Sequence, residues 1–178
     1  MIEEQHRDLL DVCSRLTTGD GDRHRVAEVV IAALCRHLSG EEQYLYPAVR
    51  LAVPDGELLA DRELAEDHEL LVVLKRLAAT RAGDPEFERL AGDVAAAVRR
   101  HVDADAAELL PLLTRMATTE DLIRVGNRLE TAAEAAPTRP HPGTPSTPPW
   151  NKIIDPVVAV ADKVRDVATG RTTYPGDL

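Results

Sequence analysis

Residues 37–47 read HLSGEEQYLYP, and a matching pattern returns at residues 101–111 as HVDADAAELLP. In both segments a histidine is followed four residues later by a carboxylate and ten residues later by a proline. The matching residues are His37 and His101, Glu41 and Asp105, and Pro47 and Pro111. A pattern repeated at corresponding positions indicates that the chain contains two copies of one structural unit.

The segment before each stretch also carries a histidine at a corresponding position. QHRDLLDVCSRL contains His6, and DHELLVVLKRL contains His68. The interval from His6 to His37 is close to the interval from His68 to His101. Each unit is therefore expected to be a pair of helices, one with a single histidine and the other with a histidine–carboxylate pair.

Four segments have apolar residues at the spacing of an amphipathic helix: residues 2–16, 25–49, 56–80 and 84–116. The segments are separated by TTGDGD, VPDG and RAGDP. Such short connections, which contain Gly, Asp and Pro, make successive helices antiparallel. We therefore predict an all-α fold, an antiparallel up-down-up-down four-helix bundle. A short fifth helix that closes one side of the bundle is predicted for TTEDLIRVGNRLETAAEAA, with Thr119 as its expected cap.

The composition changes at residue 137, where PTRPHPGTPSTPP begins. Because its prolines cannot continue a helix, we expect a bundle domain over residues 1–136 and an extended Pro-rich linker over residues 137–150. In residues 151–178, NKIIDPVVAVADKVRDVATG predicts a C-terminal amphipathic helix. Its basic residues are interleaved with aspartates and form no basic face that would attract anionic lipid, so we expect it to dock on its own protein rather than on a second subunit or a membrane surface. No stable membrane insertion is expected.

The charge balance limits the classes of partner. The formal net charge of −10 disfavours a nucleic-acid partner. The acidic start of the chain does not resemble a signal peptide, and no apolar run reaches the length of a membrane span, so we expect a cytoplasmic protein. Cys13 and Cys35 form no metal-binding or redox pair and are expected to be buried thiols.

Helix geometry explains why the repeated spacing suits a metal. Side chains four residues apart lie about 40° apart around a helix and about 6 Å apart along it, so both can reach one ion. Burying many ionisable groups without a partner costs up to several kcal/mol for each group, and a shared cation removes that cost. Bundles hold two-metal sites in this way, and imidazole with carboxylate favours iron over manganese or zinc. The candidate ligands are His6, His37, Glu41, His68, His101 and Asp105.

Seven residues after each paired histidine the helix returns to nearly the same face, where the two units carry Tyr44 and Glu108. Each is a candidate ligand or hydrogen-bond partner of a ligand. Ordinary packing for Tyr44 and a solvated acid for Glu108 are equally open alternatives. Other polar residues are expected to lie outside the site, on other helical faces or in solvent: Glu42, Tyr46, His24 and His141.

The pattern His6, His37-x-x-x-Glu41, His68, His101-x-x-x-Asp105, with its trailing LYP and LLP, resembles the hemerythrin-like family of HHE cation-binding domains over roughly residues 1–116. The resemblance implies a bundle around two iron ions, an oxo- or hydroxo-bridged non-haem di-iron centre that reacts with dioxygen, peroxide or nitric oxide. It also implies bridging roles for the two carboxylates and terminal roles for the four histidines. The C-terminal segment resembles the extension on some actinobacterial hemerythrin-like proteins.

Two positions depart from the family pattern. Oxygen-carrying hemerythrins have a second histidine four residues after the one on the third helix, whereas Val72 follows His68 at that interval. Asp105 stands where related domains usually have glutamate. The centre is therefore expected to stay open or to recruit Tyr44 or Glu108, and peroxide or nitric oxide is favoured over reversible oxygen carriage.

Three functions remain open from the sequence: a di-iron protein that binds or degrades a small oxidant in oxidative stress, a metal-based sensor that signals through the C-terminal helix, and a structural zinc or manganese protein. A ferritin-like di-iron oxidase is a structural rival, because such proteins carry Glu-x-x-His on two helices. Glu3 and His6 have that spacing, but Ala65 stands at the matching position before His68. We therefore rank the ferritin-like interpretation lower.

Overall fold

The structure, a computed structural model, describes residues 2–19, 21–147 and 150–178, and Met1, Asp20, Pro148 and Pro149 lie outside that description. Most of the described residues are helical and none of them lies in a strand, which confirms the all-α prediction. The α-helices are α1 (Ile2–Thr18), α2 (Arg23–Gly40), α3 (Tyr46–Ala52), α4 (Gly56–Ala79), α5 (Pro85–Ala104), α6 (Leu110–Met116), α7 (Thr119–Ala135) and α8 (Trp150–Thr169). Two π-helical turns, Glu41–Leu45 and Asp105–Leu109, join α2 to α3 and α5 to α6, and a 3-10 turn, Pro175–Asp177, lies near the C-terminus.

Four helical rods form the predicted bundle: α1, α2 with α3, α4, and α5 with α6. α1 packs against α2 and α5, and α4 packs against α2, α3 and α5. The short connections reverse the chain between successive rods, so the rods are antiparallel. α7 packs against α2 and the first π-helical turn, and thus closes one side of the bundle as predicted.

Side-chain caps and one glycine set the ends of the rods. The Asp22 carboxylate accepts hydrogen bonds from backbone N–H groups at the start of α2, and Asp84 does so for α5. Thr118, one residue before the predicted cap, accepts from Asp121 N–H and begins α7. At the α3–α4 turn a Cβ on Gly56 would lie 2.2 Å from the Val49 carbonyl oxygen, so only glycine fits there.

The apolar core consists of two clusters, one on each side of a level of buried polar residues. One cluster includes Leu9, Val30, Leu74 and Val94, and the other includes Leu45, Val49, Leu109 and Leu113. Between them along the rods lie the buried polar residues of α1, α2, α4 and α5. The polar level of the bundle is therefore closed at both ends by apolar side chains.

The segment that precedes α8 packs against the protein rather than extending into solvent. Pro137, Thr138 and Pro140 are buried, and the Arg139 backbone N–H donates to Asp162 at 3.0 Å. His141 is half-buried with its Nε2 3.0 Å from the Asp162 carboxylate, so the prediction that His141 is solvent-exposed is wrong. α8 packs against α7 and the first π-helical turn. No helix among the described residues is both long enough and apolar enough to cross a membrane.

Candidate metal centre

Three imidazoles and one carboxylate meet at the polar level of the bundle. His6 comes from α1, His37 from α2, His101 from α5, and Glu41 opens the first π-helical turn. One potential ligand atom from each of these residues lies within 4.8 Å of the others. All four side chains are buried, and Glu41 has no exposed surface. Helices that are distant in sequence therefore supply one compact donor cluster.

The two repeat-related carboxylates lie between imidazoles of different helices. Glu41 Oε1 is 3.3 Å from His37 Nε2 and 3.9 Å from His6 Nε2, and its Oε2 is 3.2 Å from His101 Nε2. Asp105 Oδ2 is 3.5 Å from His6 Nε2 and 3.9 Å from His101 Nε2. Of the eight predicted site residues, the structure thus brings together His6, His37, Glu41, His101 and Asp105.

A π-helical turn begins at each of the two carboxylates and changes which residues face inward. Such a turn adds one residue, so later side chains rotate by about 100° relative to a regular helix. In the regular pattern, Pro47 would require a backbone N–H that proline lacks, and its ring would clash with the carbonyl four residues earlier. Pro111 stands at the same place in the second unit. The repeated proline therefore gives a physical reason for the repeated turn.

Tyr46 lies in the site, contrary to the prediction that it only packs. Its hydroxyl donates to Asp67 Oδ2 at 2.7 Å and to Glu41 Oε2 at 3.2 Å. Tyr44, one candidate for that position, is half-buried elsewhere, with Lys152 Nζ 4.2 Å from its ring centroid. With the extra residue of the π-helical turn, Tyr46 rather than Leu45 follows Glu41 by one turn, which brings Tyr46 to the face that carries Glu41.

α4 contributes carboxylates instead of the predicted histidine. His68 is exposed and does not join the cluster, whereas Asp67 is 1% exposed with its Oδ1 3.6 Å from His101 Nδ1. Glu63, one turn earlier, is also 1% exposed. The buried positions of α4 recur every three or four residues through Asp67, and His68 is turned about 100° away from them. The prediction for His68 is corrected accordingly.

Two further acids differ from what the sequence indicates: Glu108, in the second unit, and Glu42, beside the cluster. Glu108 is exposed and its Oε2 lies 2.7 Å from Arg62 Nη2, so it is a solvated, ion-paired acid rather than a neighbour of the cluster. Glu42 lies outside the cluster as expected, but it is buried, and burial raises its pKa to about 9. His24 is exposed, as predicted.

The buried acids of the centre do not all ionise at neutral pH. Burial and the nearby Glu41 carboxylate raise the pKa of Asp105 to about 9, and burial raises the pKa of Asp67 to about 8. Burial also acts to raise the pKa of Glu41, but His37 and His101 hold it well below its ordinary value. Burial lowers the pKa of His37 to about 4. The surrounding side chains therefore supply too little positive charge to keep all of these carboxylates ionised at neutral pH.

The donor set fits a metal ion. Several buried nitrogen and oxygen atoms of the centre have no hydrogen-bond partner among the described residues: His6 Nε2, Glu41 Oε1, Glu63 Oε2, His101 Nδ1 and both carboxylate oxygens of Asp105. An unsatisfied buried polar group costs about 1–3 kcal/mol. Imidazole nitrogens and carboxylate oxygens are metal ligands, and a shared cation satisfies them while balancing their charge.

A groove of about 850 Å³ between α4 and α5 reaches the centre from outside. Asp67 and His101 lie at its inner end, and the small side chains of Ala97 and Ala104 leave space along it. The carboxylates that line it outnumber its two guanidinium groups, those of Arg62 and Arg100. A small molecule can therefore approach the cluster from this side.

Sequence reasoning missed Glu63, Asp67 and Tyr46. The first two are four residues apart on a helix, which is the same spacing that identified the other ligand pairs. Leu59 and Leu70 continue their face, so the pair was visible as a charged interruption of an apolar stripe. The repeated Pro47 and Pro111 were the only sequence signal for the π-helical turn that brings Tyr46 inward.

Comparison with known proteins agrees with this architecture. The model of the hemerythrin HHE cation-binding domain family matches residues 1–113. The chain is 24% identical over 135 residues to an uncharacterized hemerythrin-like protein of Schizosaccharomyces pombe. The aligned segment covers 75% of this chain and 66% of the relative, so the chain spans just under two thirds of the relative's length. No solved structure matches the chain. Because the family match covers well over half of the sequence and every helix that contributes to the cluster, this chain belongs to the hemerythrin HHE cation-binding domain family.

Proposed function

We propose that this protein holds two iron ions at the centre of its bundle and uses them to bind or reduce a small oxidant, namely hydrogen peroxide, nitric oxide or dioxygen. Membership of the HHE family implies a His/carboxylate metal-binding site. The observation that carries the proposal is the buried donor set itself, whose lone pairs lack partners between two apolar clusters. Manganese and zinc are the less favoured metals.

The number of donors supports two ions rather than one. Three imidazoles and four carboxylates are buried at this level of the bundle, more than the four to six ligands that one transition metal ion usually takes. Glu41 and Asp105 would be ligands common to the whole donor set, because each lies between imidazoles of different helices. The proposed ligands are His6, His37, Glu41, Glu63, Asp67, His101 and Asp105, with Glu63 and Asp67 in place of His68.

The surrounding residues position the ligands and limit access. When bound, iron supplies the one-electron redox chemistry that these side chains lack. The Tyr46 hydroxyl orients Asp67 and Glu41, and burial together with the Asp67 carboxylate raises its pKa well above the ordinary value, so it remains a hydrogen-bond donor. The carboxylates of the α4–α5 groove favour an uncharged reactant over an anion.

Reconstitution with iron under anaerobic conditions tests the proposal. We expect about two ferrous ions per chain and a change in the optical spectrum on addition of peroxide, nitric oxide or oxygen. The most responsive oxidant identifies the reactant. His68→Ala is the matched control and should bind and react like the parent protein. A chain that takes up only zinc, or whose iron shows no spectral response to any of the three, contradicts the proposal.

A second function, a metal-based redox sensor that acts through α8, is favoured by one set of contacts. Gln43, in the turn opened by Glu41, donates to Asp155 on α8 at 3.1 Å. Ser39, one turn before Gln43, donates to the same oxygen at 2.7 Å. In a sensor, these hydrogen bonds would carry a movement of the turn opened by Glu41 to α8. If the protein is a sensor, oxidation of the centre should change Trp150 fluorescence in the parent protein and not in Asp155→Asn, while both variants keep their metal.

We also propose a cytoplasmic location. Cys13 and Cys35 are buried and are not disulfide-bonded. Burial raises the pKa of each thiol to about 12, so neither is poised to react. Unpaired thiols that serve as apolar core residues are typical of proteins from a reducing compartment. Fractionation of cells that produce the chain tests this location.

A further inference from the structure

α8 is amphipathic, but its polar face is turned toward the protein and its apolar face toward solvent. A helix that packs on an apolar core has the reverse orientation. Its buried positions are Asn151, Asp155, Ala159, Asp162 and Asp166. The apolar side chains on the opposite face are between 58% and 85% exposed: Trp150, Ile153, Val157, Val160, Val164 and Val167. An exposed apolar stripe of this extent indicates a surface that binds something.

The inward face of α8 is held by specific polar contacts. Asp155 accepts hydrogen bonds from Ser39 and Gln43. Asp162 accepts from the Arg139 backbone N–H, and its carboxylate lies 3.0 Å from His141 Nε2. Asp166 accepts from the Thr138 hydroxyl and from the guanidinium groups of Arg139 and Arg171. All three aspartates are thereby paired on the protein side, and the outward direction of the valines follows from this pairing.

The exposed charges of α8 all have one sign. Lys152, Lys163 and Arg165 are exposed, whereas the acidic residues of the helix are the three buried aspartates. At about 100° per residue, both lysines lie along one edge of the apolar stripe and Arg165 lies along the other. Lys152 stacks over the Tyr44 ring and Lys163 donates to the Glu134 carbonyl, neither of which is a charged partner. The face that α8 presents is therefore apolar with basic edges.

We propose that this face of α8 binds the surface of an anionic lipid bilayer, with the helix lying along the surface and the bundle outside it. An apolar stripe about 26 Å long, flanked by lysine and arginine and ending in a tryptophan, has the features of an interfacial helix. Basic side chains at the edges reach anionic headgroups while the valines enter the headgroup boundary.

Charge decides between a lipid surface and a second copy of the chain. The apolar positions alternate at intervals of three and four, which would also suit packing against another helix. Pairing two copies of α8, however, brings basic edges together with no acidic residue on the exposed face of the helix to oppose them. The net charge of −10 belongs mostly to other faces of the bundle, and charges beyond about 8 Å are largely screened at physiological salt. An anionic surface complements α8, and a second α8 does not.

Flotation of the full-length protein with lipid vesicles tests the proposal. Vesicles of phosphatidylcholine alone are compared with vesicles containing a quarter phosphatidylglycerol. We expect at least about tenfold stronger binding to the anionic vesicles, weakened by high salt. Trp150 is the single tryptophan of the chain and lies on the proposed face, so its fluorescence should shift to the blue on binding.

Variants of exposed residues identify the face. Val160→Asp combined with Val164→Asp should abolish binding, since these side chains are 64% and 66% exposed and form few native contacts. Leu58→Asp, at a site 72% exposed on α4, is the matched control and should bind like the parent protein. Lys163→Glu with Arg165→Glu should reduce binding to anionic vesicles to the level of neutral ones. An unchanged melting temperature shows that each variant is folded.

Three outcomes overturn the proposal. The first is no binding of the parent protein to anionic vesicles. The second is binding that survives in the doubly substituted valine variant. The third is a dimer, detected by light scattering, that the valine variant dissociates, because that result assigns the face to a second copy of the chain.

Discussion

The hydroxyl of Tyr46 lies 2.7 Å from Asp67 Oδ2 and 3.2 Å from Glu41 Oε2, so one phenol joins the carboxylates of two different rods. Tyr46 is 1% exposed and Asp67 is equally buried. Water therefore does not compete for this hydrogen bond, and the bond fixes how α4 meets the first π-helical turn. The relationship depends on the extra residue of that turn, which places Tyr46 rather than Leu45 one turn after Glu41.

Tyr46→Phe should weaken both the fold and metal binding. The substitution leaves two buried carboxylate oxygens with one partner fewer, which costs about 1–3 kcal/mol of the free energy of unfolding. Loss of a hydrogen bond that orients a ligand lowers metal affinity by about 10–100-fold. Thermal denaturation and metal titration measure the two effects. Tyr44→Phe is the control, and equal effects from both variants would contradict the placement of Tyr46.

Asp67→Asn and His68→Ala separate two adjacent residues of α4. Asp67 is buried beside His101, whereas His68 is exposed, so we expect Asp67→Asn to lower the metal content of the purified protein and His68→Ala to leave it unchanged. The amide of asparagine keeps the size of the side chain but is a weaker ligand than a carboxylate. Metal analysis per chain gives the result. Loss of metal in His68→Ala alone would restore the histidine as the ligand.

Removal of metal should destabilise the bundle, because metal binding to the native state is linked to folding. Chelation is expected to lower the melting temperature of the parent protein, and added iron to restore it. His37→Ala and His101→Ala should lower metal content and melting temperature together, and added iron should not raise their melting temperatures to the parent value. Variants that keep the full metal content would remove both histidines from the ligand set.

Gly56→Ala should destabilise the turn between α3 and α4. The new Cβ would lie 2.2 Å from the Val49 carbonyl oxygen, so the backbone has to move, at a cost of about 1–3 kcal/mol. Gly92 on α5 has no atom within 4 Å of the corresponding position, and Gly92→Ala should stabilise the helix by about 0.5–1 kcal/mol. Denaturant unfolding compares the two, and a loss of stability in both variants would argue against a local clash at Gly56.

Asp166→Asn should reduce stability at neutral pH and have less effect in acid. Burial acts to raise the pKa of Asp166, but the Thr138 hydroxyl and the Arg171 and Arg139 guanidinium groups lower it below the ordinary value. The carboxylate therefore contributes stability above its unfolded pKa, and the contribution is lost as the pH falls through the folded pKa. The parent and the variant should differ by about 1 kcal/mol at pH 7 and converge only when the pH falls below the lowered pKa of Asp166 in the folded protein. A difference independent of pH would point to packing instead.

Local pattern was enough to predict the bundle and the core of the candidate centre. The i, i+4 pairs His37 with Glu41 and His101 with Asp105 are properties of one helix each, and a helix brings such pairs to one face whatever surrounds it. Short connections then make the rods antiparallel and bring their polar levels to the same height. Only the convergence of His6 with these pairs required the bundle to close as predicted.

Tertiary structure decided the features that depend on a rotation of one residue or on the choice of a face. Asp67 and His68 differ by about 100° around α4, and the packing of the whole helix selects which of them enters the interior. The first π-helical turn likewise rotates Tyr46 by about 100° toward the face that carries Glu41. For α8 the sequence determined an amphipathic helix, but periodicity is the same whichever face turns inward. The buried partners of Asp155, Asp162 and Asp166 made that choice, because paired carboxylates are stable inside and left the valines facing outward.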